Sequence, residues 1–265
     1  MRWTSCLSVV VAMSMGACKD LELPKSKALA AFILDSVSVQ GDEYRTHAVG
    51  IFLGESNGPL PDSRFVLDSC DIRPYPLATP QPAGTTIDAG SPVTIQTDKA
   101  TGAMLPVPVG SITEYALQGD GRIAFTPGAS VTFGIPGAPN GYPQASITGA
   151  TARPLQLGPI DTNPPDSVGL VLTWNPSADS SAVVISLQYG SSSDRTTPDQ
   201  QIYCSLADDG VDTLNLLKTL RWKQAPAATR SVTAYRWRTT IRPVSDQAIA
   251  IVISQYDIQP KTTFP

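Results

Sequence analysis

The segment Val168-Gly169-Leu170-Val171-Leu172-Thr173-Trp174 decides the fold class of this chain. Its side chains follow the two-residue period of a β-strand, which places on one face Val168, Leu170, Leu172 and Trp174. A strand of this kind buries its apolar face against a sheet. We therefore expect Trp174 to be a core residue.

Short apolar runs of the same kind recur along the rest of the chain. The first two, Phe32–Leu34 with Val37–Val39 and His47–Leu53, flank a turn at Gly41-Asp42 and predict a hairpin. Later runs predict strands at Phe65–Cys70, Val93–Thr97, Ile112–Leu117, Arg122–Phe125, Val131–Ile135, Val183–Tyr189 and Gln201–Leu206. Short strands separated by Gly and Pro turns are typical of an all-β sandwich.

A proline-rich stretch divides these strands into two groups. Residues 154–165 contain four prolines and little apolar periodicity, which indicates a linker. The sequence thus predicts two β-sandwich-like domains, at 28–153 and 166–265. The second domain begins with the L-x-L-x-W strand and resembles fibronectin type III and immunoglobulin-like modules, in which such a strand supplies a core tryptophan.

One short helix interrupts the second domain. It begins after Asp208-Asp209-Gly210, where Asp212 or Thr213 can cap its first turn. Its apolar stripe is predicted to consist of Leu214, Leu217 and Leu220. A helix this short needs packing on the sheet to be stable.

The first 18 residues predict export. A basic start leads into an apolar run from Leu7 to Met15 and then to Gly16-Ala17-Cys18. This junction resembles the lipobox of bacterial lipoproteins, with Met15 in place of the usual Leu. The resemblance implies a signal peptide at 1–17, diacylglycerol on the Cys18 thiol and acylation of the new amino terminus.

Two other interpretations of this start remain open. It can be a plain signal peptide with an ordinary thiol at Cys18, or a membrane-spanning helix, although the apolar run falls short of the about 20 residues that a span needs. Under the lipobox interpretation, residues 18–27 form a tether. In the resemblance to lipoproteins of two-membrane bacteria, Asp directly after the cysteine keeps the protein in the inner membrane. This chain has Lys19 there, which implies the outer membrane.

The four cysteines are informative once processing is considered. Cys6 lies in the predicted signal peptide and Cys18 carries the lipid, which leaves Cys70 and Cys204, one in each half. An exported protein allows these two to form a disulfide, but two separately buried thiols are the alternative. Together with the single His47, they cannot complete a four-ligand zinc site.

The composition and motifs favour a binding or structural role over catalysis. A net charge of −4 disfavours nucleic-acid partners. No catalytic or nucleotide-binding motif appears in the mature chain, and His47 lies in a predicted strand. Asp208, Asp209 and Asp212 could coordinate calcium, but they do not match the longer D-x-D-x-D-G loop with a distal Glu, and a tight acidic turn at a helix start is the favoured interpretation. We predict no cofactor and no metal.

The segment 235–242 is the sharpest surface feature of the sequence. Alternation puts Arg236, Arg238 and Arg242 on one face, and on the other Tyr235, Trp237 and Ile241. A row of arginines can bind an anionic glycan. The alternative is an ordinary sheet with Trp237 in the core and the guanidinium groups in water or paired with carboxylates.

These observations predict a lipid-anchored protein of the bacterial cell envelope. It is expected to act as a non-catalytic binding or structural module for an unknown envelope protein or glycan. The alternatives are an anionic-glycan-binding surface protein and a secreted hydrolase with a dispersed active site.

Overall fold

The computed structural model describes residues 28–38, 43–54, 68–76, 85–161, 165 and 167–262. These residues are predominantly β-strands, which confirms the predicted all-β class. The predicted signal peptide at 1–17 and the tether at 18–27, with Cys18, lie outside the described residues.

The strands fall into one large sheet and one small one. In chain order they are β1 (Ala28–Ser38), β2 (Tyr44–Gly54), β3 (Ser69–Pro74), β4 (Thr85–Thr86), β5 (Val93–Gln96), β6 (Thr101–Val109), β7 (Ile112–Leu117), β8 (Arg122–Phe125), β9 (Ser130–Ile135), β10 (Ala145–Ala150), β11 (Val171–Thr173), β12 (Ala182–Tyr189), β13 (Gln200–Ala207), β14 (Val211–Thr213), β15 (Ser231–Ser245) and β16 (Ala248–Thr262). The large sheet has the order β10-β9-β5-β6-β7-β2-β1-β16-β15-β12-β13-β3, with β4 and β8 also paired to β2. The small sheet pairs β11 with β14.

The first part of the large sheet folds back on itself around an aromatic core. Phe32 of β1 stacks on Phe133 of β9, with ring centroids 4.0 Å apart, although five strand-to-strand steps separate these strands in the sheet order. Gly149 of β10 lies so close to β16 that a Cβ there would come within 2.9 Å of Val252. The contact between β10 and β16 encloses the first core at this side of the sheet.

The second core lies between the other end of the large sheet and a cover made of the small sheet and a helix. Inward-facing residues of β12, β13 and β15 pack there against Leu170, Leu172 and Trp174. The predicted core position of Trp174 is confirmed, since only 5% of it is exposed. Trp237 is also buried, but on the opposite face of the sheet, with Val184 and Tyr203.

The helix differs from its predicted form. Helix α1 (Leu216–Gln224) is capped by Asn215, whose side chain accepts a hydrogen bond from the Lys218 N–H, rather than by Asp212 or Thr213. The residues that it buries are Thr219 and Trp222, whereas Leu217 is 75% exposed. The predicted leucine stripe is therefore wrong, because the helix starts later than expected and turns a different face to the core. A 3₁₀ turn (Ala227–Thr229) follows.

The segment around Trp174 is also more irregular than predicted. Regular strand structure covers only Val171–Thr173, and Trp174 forms an isolated bridge with Leu157. Val168, expected on the core face, is 46% exposed. Next to it, Gly169 packs so closely on the Leu214 backbone that a Cβ would come within 2.1 Å of the Leu214 carbonyl oxygen.

Strand pairing crosses the predicted domain boundary twice. β1 pairs in parallel with β16, in register from Ala28↔Ala248 to Ser36↔Tyr256. β3 pairs with β13 at the far end of the sheet. The all-β class is thus realised as one continuous sheet with two cores, and the division into two sandwich domains at 28–153 and 166–265 stays a prediction.

Candidate functional site

The most enclosed charged group is an ion pair between β15 and the turn after β13. The Arg236 Nε atom lies 2.6 Å from Asp208 Oδ2, and its Nη2 atom lies 3.0 Å from Asp208 Oδ1. The side chains are 1% and 2% exposed. This two-point geometry is the strongest that an arginine and a carboxylate form.

The remaining donors of Arg236 bind backbone carbonyls of two other segments. Nη1 donates to the carbonyl oxygens of Arg153 and Pro154, and Nη2 donates to that of Asn175. Together with the bonds to Asp208, these contacts use all five guanidinium N–H groups. The Asp208 carboxylate accepts one more hydrogen bond, from Trp174 Nε1 at 3.1 Å. The cluster fastens the chain between the two cores to the second core.

The structure does not place the three predicted arginines in a solvent-facing row. Arg236 faces the second core and is fully enclosed. Arg238 is only partly exposed, and its Nη1 atom lies 3.0 Å from Asp179 Oδ2. Arg242 is exposed further along β15. The prediction of an anion-binding site is therefore wrong for Arg236, because the inward face of β15 carries a charge paired with a buried carboxylate.

Asp179 is a second junction between the linker and β15. Besides Arg238, it has Arg153 Nε at 3.7 Å and accepts a hydrogen bond from the Ser181 hydroxyl. Burial acts to raise the pKa of Asp179, but the Ser181 hydroxyl and the two guanidinium groups outweigh it and hold the pKa below its usual value. Asp179 is thus ionised at neutral pH in a structural contact.

The acidic turn before the helix is not arranged as a cation site. Asp208 is occupied by Arg236 and Trp174, and Asp209 accepts a hydrogen bond from the Val211 N–H within the turn. Across the described ranges, no three His, Cys, Asp or Glu side chains come together in a metal-binding group.

His47 lies in a cross-strand pair. Its Nε2 atom accepts a hydrogen bond of 2.9 Å from Arg122 Nε, where β2 and β8 are in register. Among the described residues, no carboxylate or hydroxyl partner of the His47 imidazole is shown, and the Thr46 hydroxyl donates only to the His47 backbone carbonyl oxygen. The arrangement is that of a sheet contact.

Cys70 and Cys204 are joined by a disulfide bond. They are register partners on β3 and β13, with a Cα–Cα distance of 4.0 Å and a sequence separation of 134 residues. Cys204 is fully buried in the second core. The bond links the edge strand β3, which comes from the first half of the chain, to the second half.

Two surface hollows, of about 440 and 480 Å³, are the clearest concave sites in the described part of the chain. The first is lined by residues that include Ala28, Gly54 and Gln247, and the second by residues that include Thr94 and Gln144. Neither lining contains an ionisable side chain, so neither hollow offers a group for acid–base catalysis.

The β6–β7 hairpin forms a continuous exposed apolar surface among the described residues. Residues 105–111 are all exposed, and the fractions for Leu105, Val107 and Val109 are 36%, 38% and 46%. Residues 100–113 contain no charged side chain. Exposed apolar patches of this kind mark contact surfaces.

Two prolines shape the edge of this hairpin that no described strand pairs with beyond Met104. The Ala103 carbonyl oxygen accepts a hydrogen bond from the Gln118 N–H (3.0 Å), so odd-numbered residues of β6 bond towards β7. Pro106 and Pro108 therefore face the open edge, where they have no N–H to offer. The edge cannot accept a further strand in the ordinary way.

Comparison of the chain with protein-family models, with curated proteins and with solved structures finds no match. Helices of the described residues include none that is long and apolar enough to cross a membrane.

Sequence reasoning missed this hairpin surface. The strand prediction passed over Thr101–Val109, because prolines at every second position argue against a paired strand. The signal was nevertheless present in the alternation of Leu105, Val107 and Val109 within a long uncharged stretch.

Proposed function

We propose that this protein is a lipid-anchored protein of the bacterial cell envelope, held by Cys18, that acts as a non-catalytic binding or structural module. The observation that carries the proposal is the Cys70–Cys204 disulfide. Such bonds persist in oxidising compartments outside the cytosol. An exported chain is what the lipobox-like start requires.

The placement of the charged groups supports a module without its own chemistry. The most enclosed pair, Arg236 with Asp208, and the partly buried Asp179 are engaged in contacts that hold chain segments together. The anionic-glycan alternative loses Arg236 as a ligand. The exposed β6–β7 hairpin remains as a surface for binding.

The test is lipid attachment in cells. Cells grown with labelled palmitate are expected to label the wild-type chain but not a Cys18→Ser variant, and fractionation is expected to recover the wild type with the outer membrane. Cys204→Ser, which leaves Cys18 in place, is the matched control and should still be labelled. Equal labelling of the wild type and Cys18→Ser would refute the anchor.

A further inference from the structure

We infer that the tip of the β6–β7 hairpin inserts into the lipid surface beside the anchor. This inference rests on the proposed function, since it takes Cys18 as the attachment point. It assigns a membrane-contacting role to the strip formed by Leu105, Val107 and Val109.

The strand registers place the tip at the end of the molecule where the chain comes from Cys18. Ile51 of β2 pairs with Glu114 of β7. The pairing of β7 with β2 ends there and β4 pairs with β2 at Leu53 and Gly54, so Ile112 and the hairpin tip lie beyond Glu114 on the side of Gly54, which pairs with Ala28. The hairpin end and the start of β1 therefore lie at the same end of the sheet.

The length of the tether limits how far this end is from the membrane. Nine residues, 19–27, separate Cys18 from Ala28. The ten peptide steps from Cys18 to Ala28 span at most about 36 Å when fully extended. An anchored Cys18 thus keeps the Ala28 end of the sheet, and the hairpin with it, close to the lipid headgroups.

The chemistry of the tip suits lipid better than a flat protein partner. Both faces of residues 105–111 are exposed, whereas a partner docked on one face would leave the other in water. Pro106 and Pro108 remove the N–H donors that the open edge would otherwise bring into an apolar medium, where unsatisfied donors are costly. No charged side chain in 100–113 opposes insertion, and the carbonyl oxygens that Pro106 and Pro108 present at the open edge place it at the hydrated headgroup level rather than in the hydrocarbon core.

The test measures the depth of a probe on the full lipidated chain. With Cys18 acylated and Cys70 bonded to Cys204, a Val107→Cys variant carries one free thiol for an environment-sensitive NBD fluorophore. Leu217→Cys, at an exposed helix position, is the matched control. Both proteins are reconstituted in vesicles of phosphatidylethanolamine and phosphatidylglycerol, and Val109→Cys gives a second tip position.

In vesicles, the tip probes are expected to show a several-fold rise in emission, quenching by nitroxide-labelled lipid and protection from aqueous iodide. The Leu217 probe should stay open to iodide. Tip probes as open to iodide as the control would overturn the inference. So would protection that appears without lipid in the Cys18→Ser chain and grows with protein concentration, since that result assigns the tip to a second copy.

Mass spectrometry of the same preparations separates the two proposals. If Cys18 carries lipid and the tip probes stay in water, only the insertion fails. If Cys18 is unmodified, the proposed function fails and the insertion fails with it.

Discussion

Arg236 and Asp208 form a two-point ion pair in which both side chains are almost fully removed from water. The pair joins β15 to the turn after β13, and the other guanidinium donors hold the backbone at Arg153, Pro154 and Asn175. A charge at the inward face of a strand is costly unless every donor is satisfied. Each of the five guanidinium N–H groups of Arg236 has a hydrogen-bond acceptor.

Breaking this pair on one side is expected to destabilise the fold strongly. Asp208→Asn and Arg236→Met each leave a buried charge without its partner, and we expect each to lower the free energy of unfolding by about 3–5 kcal/mol. Arg242→Met, at an exposed arginine of the same strand, should change it by less than about 0.5 kcal/mol. Urea unfolding followed by tryptophan fluorescence measures all three.

The double variant Arg236→Met/Asp208→Leu gives a further check on the pair. It removes both charges together, so it should be less destabilised than the sum of the two single variants. Single-variant losses below about 1 kcal/mol would show that the pair is exposed in solution.

Acid should weaken the Asp179 junction. Because its pKa is lower in the folded protein than in the unfolded chain, Asp179 contributes stability that is present above about pH 4 and is lost as the pH falls through its folded pKa. Asp179→Asn is expected to reduce stability at pH 7 and to flatten the decline below about pH 4. Thermal melts across this range provide the measurement. Asp246→Asn, in the exposed turn between β15 and β16, matches the change in net charge, and identical curves for the two variants would contradict the assignment.

Reduction of the disulfide should loosen β3 first. This strand is at the edge of the sheet and is hydrogen-bonded only to β13 among the described strands. Loss of a cross-link over 134 residues is expected to cost about 2–5 kcal/mol. Hydrogen exchange under reducing conditions should speed up at Asp71–Arg73 before it does at β12. Unchanged exchange at β3 would show that strand pairing alone holds it.

Helix α1 should depend on its tryptophan and not on its exposed leucine. Trp222 is fully buried, its Nε1 donates to the Gln188 carbonyl oxygen at 3.3 Å, and Arg230 stacks over its ring. Trp222→Ala is expected to cost about 3–5 kcal/mol, whereas Leu217→Ala should cost less than about 0.5 kcal/mol. Chemical unfolding compares them, and a larger loss for Leu217→Ala would restore the leucine stripe that the sequence suggested.

Local patterns predicted several strands closely, but none pointed to β10 or β16. The predicted strands Ile112–Leu117 and Arg122–Phe125 agree with β7 and β8 at every residue, because alternation and flanking glycine turns are local signals. The first hairpin is also confirmed, since β1 and β2 pair antiparallel over their whole length.

What the sequence did not predict depends on contacts between distant segments. Arg236 and Ala234 lie on the face of β15 that packs on the second core. Strand alternation therefore grouped the arginines on one face correctly, but it assigned that face to solvent. Arg236 can face the core because its guanidinium is paired with Asp208, 28 residues earlier in the chain. No local sequence pattern predicts a contact over that separation. The parallel pairing of β1 with β16 is non-local in the same way.

The position of β16 sets an order of events during biosynthesis. The first core includes Ala248, Ala250 and Val252, so the amino-terminal half lacks one of its walls until the last strand has been made. A chain synthesised only as far as β15 would therefore leave the inward side chains of β1 without the neighbours that β16 supplies along their whole paired length. Completion of the first core waits for the strand that is made last among those that build it.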